Sequence, residues 1–387
     1  MITRHLRRWL APLGLLAGLS LLLVACGGGL GTGGTGSFAS GPITGFGSVI
    51  VNDIVFDDSG AAVEDGDGGA HTRAELRLGM TVEVDGEALQ SRSARAKNIR
   101  YDSALLGPID AVDVPAGRFL LLGQTVIVDA NTFFDERLPG RLEGLAPGSG
   151  AEVYALYDPA LQRYRATRVE PRSALPPAYR LRGAITQLDP AARTFRIGAA
   201  LFDYSAAAGM PVGLANDQFV RLTLQRAPLA NGAWRVVTFS AAQSAVGDLD
   251  DVVVKGLVTS LGSTSNFGVD GRPVDASGAR IEGVLQIGAR VEVEGEVRAG
   301  VLRARRVEVR SDDDERMRGF ELRGPVESVN PTQQRFVLRG VTVSTRRGDL
   351  RYENGNAADL APGRRVEVKG MLDGSGTALE AMRIKFE

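Results

Sequence analysis

Apolar and polar residues alternate in short runs along most of this chain, and the runs recur in a fixed order. Near the C-terminus the order reads GPVESVN from Gly324, RFVLRG from Arg335, VTVSTR from Val341, RRVEVKGML from Arg364 and ALEAMRIKF from Ala378. A period of two marks strands that bury one face. Asp373-Gly374 separates the last two runs and signals a hairpin turn, because glycine accepts positive φ at little cost. The stretch from Asp349 to Gly363 lies between the third and fourth runs and has room for a short helix. Three strands, a crossover and two more strands predict a small five-stranded barrel.

The pattern repeats. LQIGARVEVEGEV from Leu285 and LAPGRRVEVKGML from Leu360 are nearly one phrase, and a glycine opens each copy at Gly41, Gly107, Gly183, Gly256 and Gly324. These openings lie about 70 residues apart, longer than usual solenoid units and enough for a small domain each. The fold class predicted is all-β, with about five tandem OB-like barrels at 41–103, 104–175, 176–247, 248–312 and 313–387. Each is expected to own its core. Within the phrase, Val291, Val293 and Gly295 share a face, as do Val366, Val368 and Gly370, and Val82, Val84 and Gly86. The valines are predicted to point inward, with Glu292, Glu294, Glu367 and Lys369 in water. The glycine at the next inward position reads as a bend where backbones approach closely. Tyr157 and Leu224 replace that glycine in copies two and three.

The N-terminus adds a location. Arg4, Arg7 and Arg8 precede an apolar run from Trp9 to Ala25, the layout of an export signal and short for a membrane span. Leu23-Val24-Ala25-Cys26 resembles the lipobox of bacterial lipoproteins. That resemblance implies cleavage between Ala25 and Cys26, with the sulfur carrying a diacylglycerol and the bilayer as a partner. Gly27 in place of Asp favours, by the same resemblance, the outer membrane of a Gram-negative envelope. Residues 1–25 are thus a signal peptide, and residues 26–40 a glycine-rich tether with a reach of roughly 20 Å. Cys26 is the single cysteine, so no disulfide forms within the chain. The formal net charge of −1 becomes more acidic once the leader's arginines leave, which argues against nucleic acid as a partner.

The tandem G-x-[IV]…F-x-[VL]-x-G…L-x-x-G-x-x-V-x-V-x-G…A-x-x-[IV] copies behind a lipobox resemble a bacterial lipoprotein family of unknown function. The resemblance is clearest in copies one, four and five; it implies a periplasm-facing barrel array and carries over no catalytic residues. Chemistry is sparse. His71 is the one histidine beyond the leader, too few for a zinc site or a familiar triad, and no cofactor is expected. Asp57, Asp58, Glu64, Asp65 and Asp67 resemble part of a calcium loop but lack its full spacing. Tyr154, Tyr164, Arg163, Arg165 and Arg168 form a candidate patch for an anionic glycan or acidic protein segment. The expected role is a non-enzymatic envelope binding or spacer module for protein or glycan partners. The alternative is a carboxylate-dependent glycan hydrolase, whose paired acids can be distant in sequence.

Overall fold

The runs at the C-terminus form strands Phe320–Asn330, Arg335–Leu338, Val341–Ser344, Arg365–Leu372 and Ala378–Phe386 in a computed structural model that describes residues 36–138, 140–311, 313–314 and 318–387. Between the third and fourth lie a short strand, Arg351–Glu353, and a one-turn 3-10 helix, Ala357–Asp359, capped by the Asn356 side chain. Phe320–Asn330 pairs antiparallel with Arg365–Leu372, and Val341–Ser344 runs parallel to Ala378–Phe386. That parallel pairing closes the sheet on itself, which protects its edges. Equivalent parallel closures occur in the other four copies: Ile54–Asp57 on Ser93–Tyr101, Gln124–Ile127 on Arg163–Arg172, Ala200–Asp203 on Trp234–Ser240, and Arg272–Asp275 on Val301–Arg310. The chain is all-β and built of small barrels, numbered 1 to 5 below in chain order.

The strand glycines sit at bulges. Pairing slips at Asp85/Gly86, Glu294/Gly295 and Lys369/Gly370, and all three glycines are buried behind inward valines. A bulge bends its strand and raises the local twist, which a small barrel needs at its corners. A Cβ on Gly370 would fall 2.6 Å from the Glu380 carbonyl oxygen, so no larger residue fits without moving main chain. In barrel 2 the same slip falls at Tyr154/Ala155, so the sequence reading is corrected there: Ala155, not Tyr157, takes the place of the glycine, and the buried Tyr157 lies two residues further along the strand. One outward residue departs from expectation. Glu292 is buried rather than solvated, because Lys255, Arg310 and Arg318 close over it at 3.7, 3.4 and 3.4 Å.

The barrels are not separate beads. Strand Ser37–Phe46 pairs antiparallel with Thr81–Gly86 inside barrel 1. Its first half also runs parallel to barrel 4, from Ser37 opposite Asp251 to Ser40 opposite Val254. Its second half runs parallel to barrel 5, with Gly45 opposite Glu321 and Phe46 opposite Leu322. One strand is thus a seam for three barrels. Ser37 to Ser40, read from composition as the end of the tether, are strand, because sheets on both sides supply hydrogen-bond partners and bury both faces. Phe38 points into the core of barrel 4 with the Arg272 guanidinium over its ring, a burial that contributes about 2 kcal/mol. Asn52 locks the seam by donating to Ser40 O at 2.9 Å and Val253 O at 3.0 Å.

Cores merge accordingly. Barrels 1 and 5 share one apolar cluster, in which Ile43, Phe56 and Val84 meet Leu322, Phe336 and Ile384. Barrels 2 and 3 share another, joined where Arg180 and Leu181 pair with Leu106 and Leu105. Barrel 4 keeps its own, with Phe38 inserted. The expectation of five private cores is therefore corrected: the seam strand and the Leu105–Asp113 strand each serve more than one barrel.

Candidate functional site

Cys26 and Ala25 lie outside the described residues. Among the described residues no helix is long and apolar enough to cross a membrane, which says nothing of a lipid anchor. The aromatic-arginine patch does not exist as a surface. Tyr154 and Tyr164 are 1% and 0% exposed, their rings turned inward, and Tyr164 donates to Arg182 O at 2.5 Å. Arg163 and Arg165 face Asp158 at 3.8 and 3.3 Å. Arg168 is buried against Glu170 at 2.6 Å and Asp135 at 3.4 Å, and donates to Leu78 O.

These arginines belong to a ladder of alternating charge that joins barrels. Asp102 meets Arg221 Nε at 2.9 Å, Arg221 meets Asp67 at 2.8 Å, and Asp67 meets Arg180 at 2.7 Å. The ladder continues through Glu152, Arg172, Glu170, Arg168 and Asp135 to Arg137. Outward parity on a strand means only out of that barrel, and here the space beyond is another barrel. The buried members, Asp102, Arg221, Glu152, Glu170 and Arg168, are solvated by their neighbours in place of water, while Asp67, Arg172 and Arg137 keep contact with solvent.

The acidic loop does not converge either. Asp57 accepts from Ser59 N–H, which lowers its carboxyl, while Glu64 is exposed. Asp65 accepts from Asp67 and Gly69 N–H groups in its own turn, and Asp67 reaches Arg180 and Arg221. Asp58 lines a separate groove. Among the described residues no three His, Cys, Asp or Glu side chains are grouped to hold a metal ion.

Two concave places lie where barrels meet. The first is a chamber of about 40 Å³ where barrels 1 to 4 meet, bounded by Glu83, Arg100, Asp102, Tyr157, Arg182, Asp270 and Arg272. It holds at most about three waters, since each needs roughly 10–15 Å³. Glu83 pairs with Arg100 at 3.2 Å and Arg272 at 3.1 Å; burial alone would raise its carboxyl, but Arg272 and the Ser244 bonds hold it low. Burial pushes Asp270 up to about 6 against one N–H from Leu257. Burial, with Asp158 beside it, pushes the Tyr157 hydroxyl up to about 12.

The second is an open groove of about 780 Å³ where barrels 1, 2 and 5 meet. That volume lies in the range of small-molecule and oligomer sites. Phe46, Leu76, Leu78 and Phe133 line its apolar part, and Phe133 stacks edge-on against Phe320 at 4.6 Å. Arg73, Arg77, Arg137 and Arg339 stand with Asp58, Glu136 and Glu327 around them, so the groove offers both signs of charge. The end of the charge ladder, Arg168-Asp135-Arg137, opens into it. Sequence reasoning missed this site because its residues come from three copies. The only local signal was the apolar pair Phe133-Phe134 inside a crossover otherwise rich in charge.

Three stretches, residues 107–170, 255–308 and 323–385, match a single family model. It is the Domain of unknown function (DUF5666). The DUF5666 matches fall on barrels 2, 4 and 5. Barrel 2, which carries Ala155 in place of the strand glycine, is among them, whereas barrel 1, whose phrase keeps the glycine, lies outside the DUF5666 segments. No curated protein matches the chain. The solved structure titled "drosophila Unr CSD456" aligns over 55% of this chain and 99% of its own at 15% identity. Its TM-score is 0.14, too low to carry an argument.

Proposed function

We propose that the chain is a non-enzymatic binding module of a bacterial envelope, anchored to a membrane through Cys26 and facing the periplasm. A protein or glycan partner seats in the groove between barrels 1, 2 and 5. The observation that supports this most is the placing of that groove. It is the ligand-sized opening at a junction held by a shared core and by the charge ladder, so its walls are preorganised by contacts from three barrels. The way carboxylates are used also favours binding over hydrolysis. Glu83 and Asp102 at the chamber are tied to arginines, and the chamber admits waters but no sugar ring. The paired acids of a glycosidase instead face a substrate-sized gap of roughly 5–9.5 Å.

A photocrosslinking residue placed at Arg77 in the groove, with a control at the exposed and remote Val284, tests the reading in intact cells. Adducts specific to the Arg77 position are expected. The same adduct pattern from both positions would remove the groove as the binding site.

A further inference from the structure

His71 is held in a way that fixes its charge. Its Nδ1 lies 2.8 Å from Glu75 Oε2, and its Nε2 lies 3.2 Å from Asp65 Oδ2. Ionised carboxylates only accept hydrogen bonds, so both ring nitrogens must donate, and only imidazolium carries two N–H groups. The remaining neighbours do not compete for the ring nitrogens. Tyr101 meets the ring edge-on at 5.2 Å, and Thr72 directs its hydroxyl to the other oxygen of Glu75. Arg172 and Arg180 act on Tyr101 electrostatically, and their carboxylate partners are Glu152, Glu170 and Asp67 rather than Asp65 or Glu75.

The same Asp65 organises the Gly66–Gly69 turn, and that turn is a strap across the buried centre. Asp67 at its tip reaches Arg180 and Arg221, and Gly66 O accepts from Arg100 at 3.0 Å. The strap backbone lies directly on the Arg221–Asp102 pair: a Cβ on Gly66 would collide with Asp102 Oδ1 and fall 2.9 Å from Arg221 Nη2. Arg221 is 1% exposed beneath it.

We propose that residues 65–71 form a proton-operated latch over the Arg221–Asp102 pair, locked while His71 is imidazolium and released when it loses its proton. Release follows because one ring nitrogen would then turn a lone pair toward a carboxylate, which removes a charge-assisted bond and leaves repulsion. The direction of titration agrees. The bond to Glu75, then that to Asp65, outweighs burial and raises the His71 imidazole above its ordinary value. Glu75 is held down to about 2 by the Thr72 N–H and by His71, and Asp65 stays low because its turn N–H groups and His71 overcome its burial. A raised folded value means the lock is complete below the ordinary histidine value of about 6.5 and is lost as pH rises through the folded one.

The test uses the full chain. His71 and His5 are the two histidines, so the imidazole titration of His71 is readable by NMR. Hydrogen exchange at the 66–70 amides, corrected for intrinsic rates, is followed at pH 6 and pH 9. Protection is expected to fall about tenfold between the two, the worth of one charge-assisted hydrogen bond. His71→Gln should show the released level at both pH values, and His71→Arg, a permanent cation, should stay protected at both. A His71 imidazole titrating at or below its ordinary value would overturn the latch. So would strap protection in His71→Gln equal to wild type at pH 6.

Discussion

Replacing Gly295 with alanine tests the bulge geometry at a single methyl. The added Cβ would overlap the Arg303 carbonyl oxygen and sit 2.9 Å from Ala304 Cα. Both are main-chain atoms of the paired strand Val301–Arg310, where the register slips from Arg306 to Ala304. No rotamer can relieve the contact, so the strand itself must shift. Overpacking costs about 1–3 kcal/mol, and a clash with main chain belongs at the top of that range, so about 3 kcal/mol is expected. Gly370 provides a graded comparison, its Cβ 2.6 Å from Glu380 O, for which about 2 kcal/mol is expected. Gly86 is mildest. Its nearest atom is the Ser37 hydroxyl at 2.8 Å, which can rotate away by giving up its bond to Glu87 O, and the Arg95 carbonyl oxygen and Phe56 ring at 3.1 Å need shift only by tenths of an ångström, for a total of about 1 kcal/mol. Urea midpoints at unchanged m-value convert directly to these differences. Three equal losses, or Gly86→Ala as the most damaging, would refute the close-approach account.

Asp270→Asn should stabilise the protein at high pH only. Its carboxyl is pushed up to about 6, so the folded state favours the proton; that stability is present in acid and lost as pH rises through 6. The amide variant should therefore match wild type near pH 4 and exceed it by up to about 3 kcal/mol at pH 8, and a pH-independent difference would contradict this. A fragment of residues 318–387 should lack a cooperative thermal transition, because its core residues Leu322 and Phe336 pack with barrel 1; a sharp transition would show that barrel 5 is self-sufficient. Cys26→Ser should lose detergent-phase partitioning and acyl labelling, and unchanged labelling would remove the anchor from the proposed function.

Much of the fold was legible because it is local. Val366 and Val368 alternate with Glu367 and Lys369, and Asp373-Gly374 turns the chain, without reference to any other copy. The glycine at Gly295 was readable for the same reason. What could not be read was the environment beyond each barrel. Arg168 and Glu292 obey the same alternation as solvated residues, yet a neighbouring barrel or linker covers them. Ser37 to Ser40 look like tether by composition and become strand through partners on both sides, Glu83–Gly86 of barrel 1 and Asp251–Val254 of barrel 4, neither of them close in sequence. The groove escaped entirely, since Phe46, Phe133 and Arg339 carry no shared periodicity and meet only when barrels 1, 2 and 5 dock.

The seam strand also decides how the body answers a mechanical load. For a pull directed along Ser37–Phe46, the hydrogen bonds to Thr81–Gly86 lie across the direction of load and those to Leu249–Ser263 run at a slant to it. They are therefore strained together rather than one after another. Lifetime under such force is set by the unfolding rate, and a barrier that requires many bonds to fail at once makes that rate small. The three barrels that meet at this strand would share the tension, so the point where the chain enters the fold is gripped by all three.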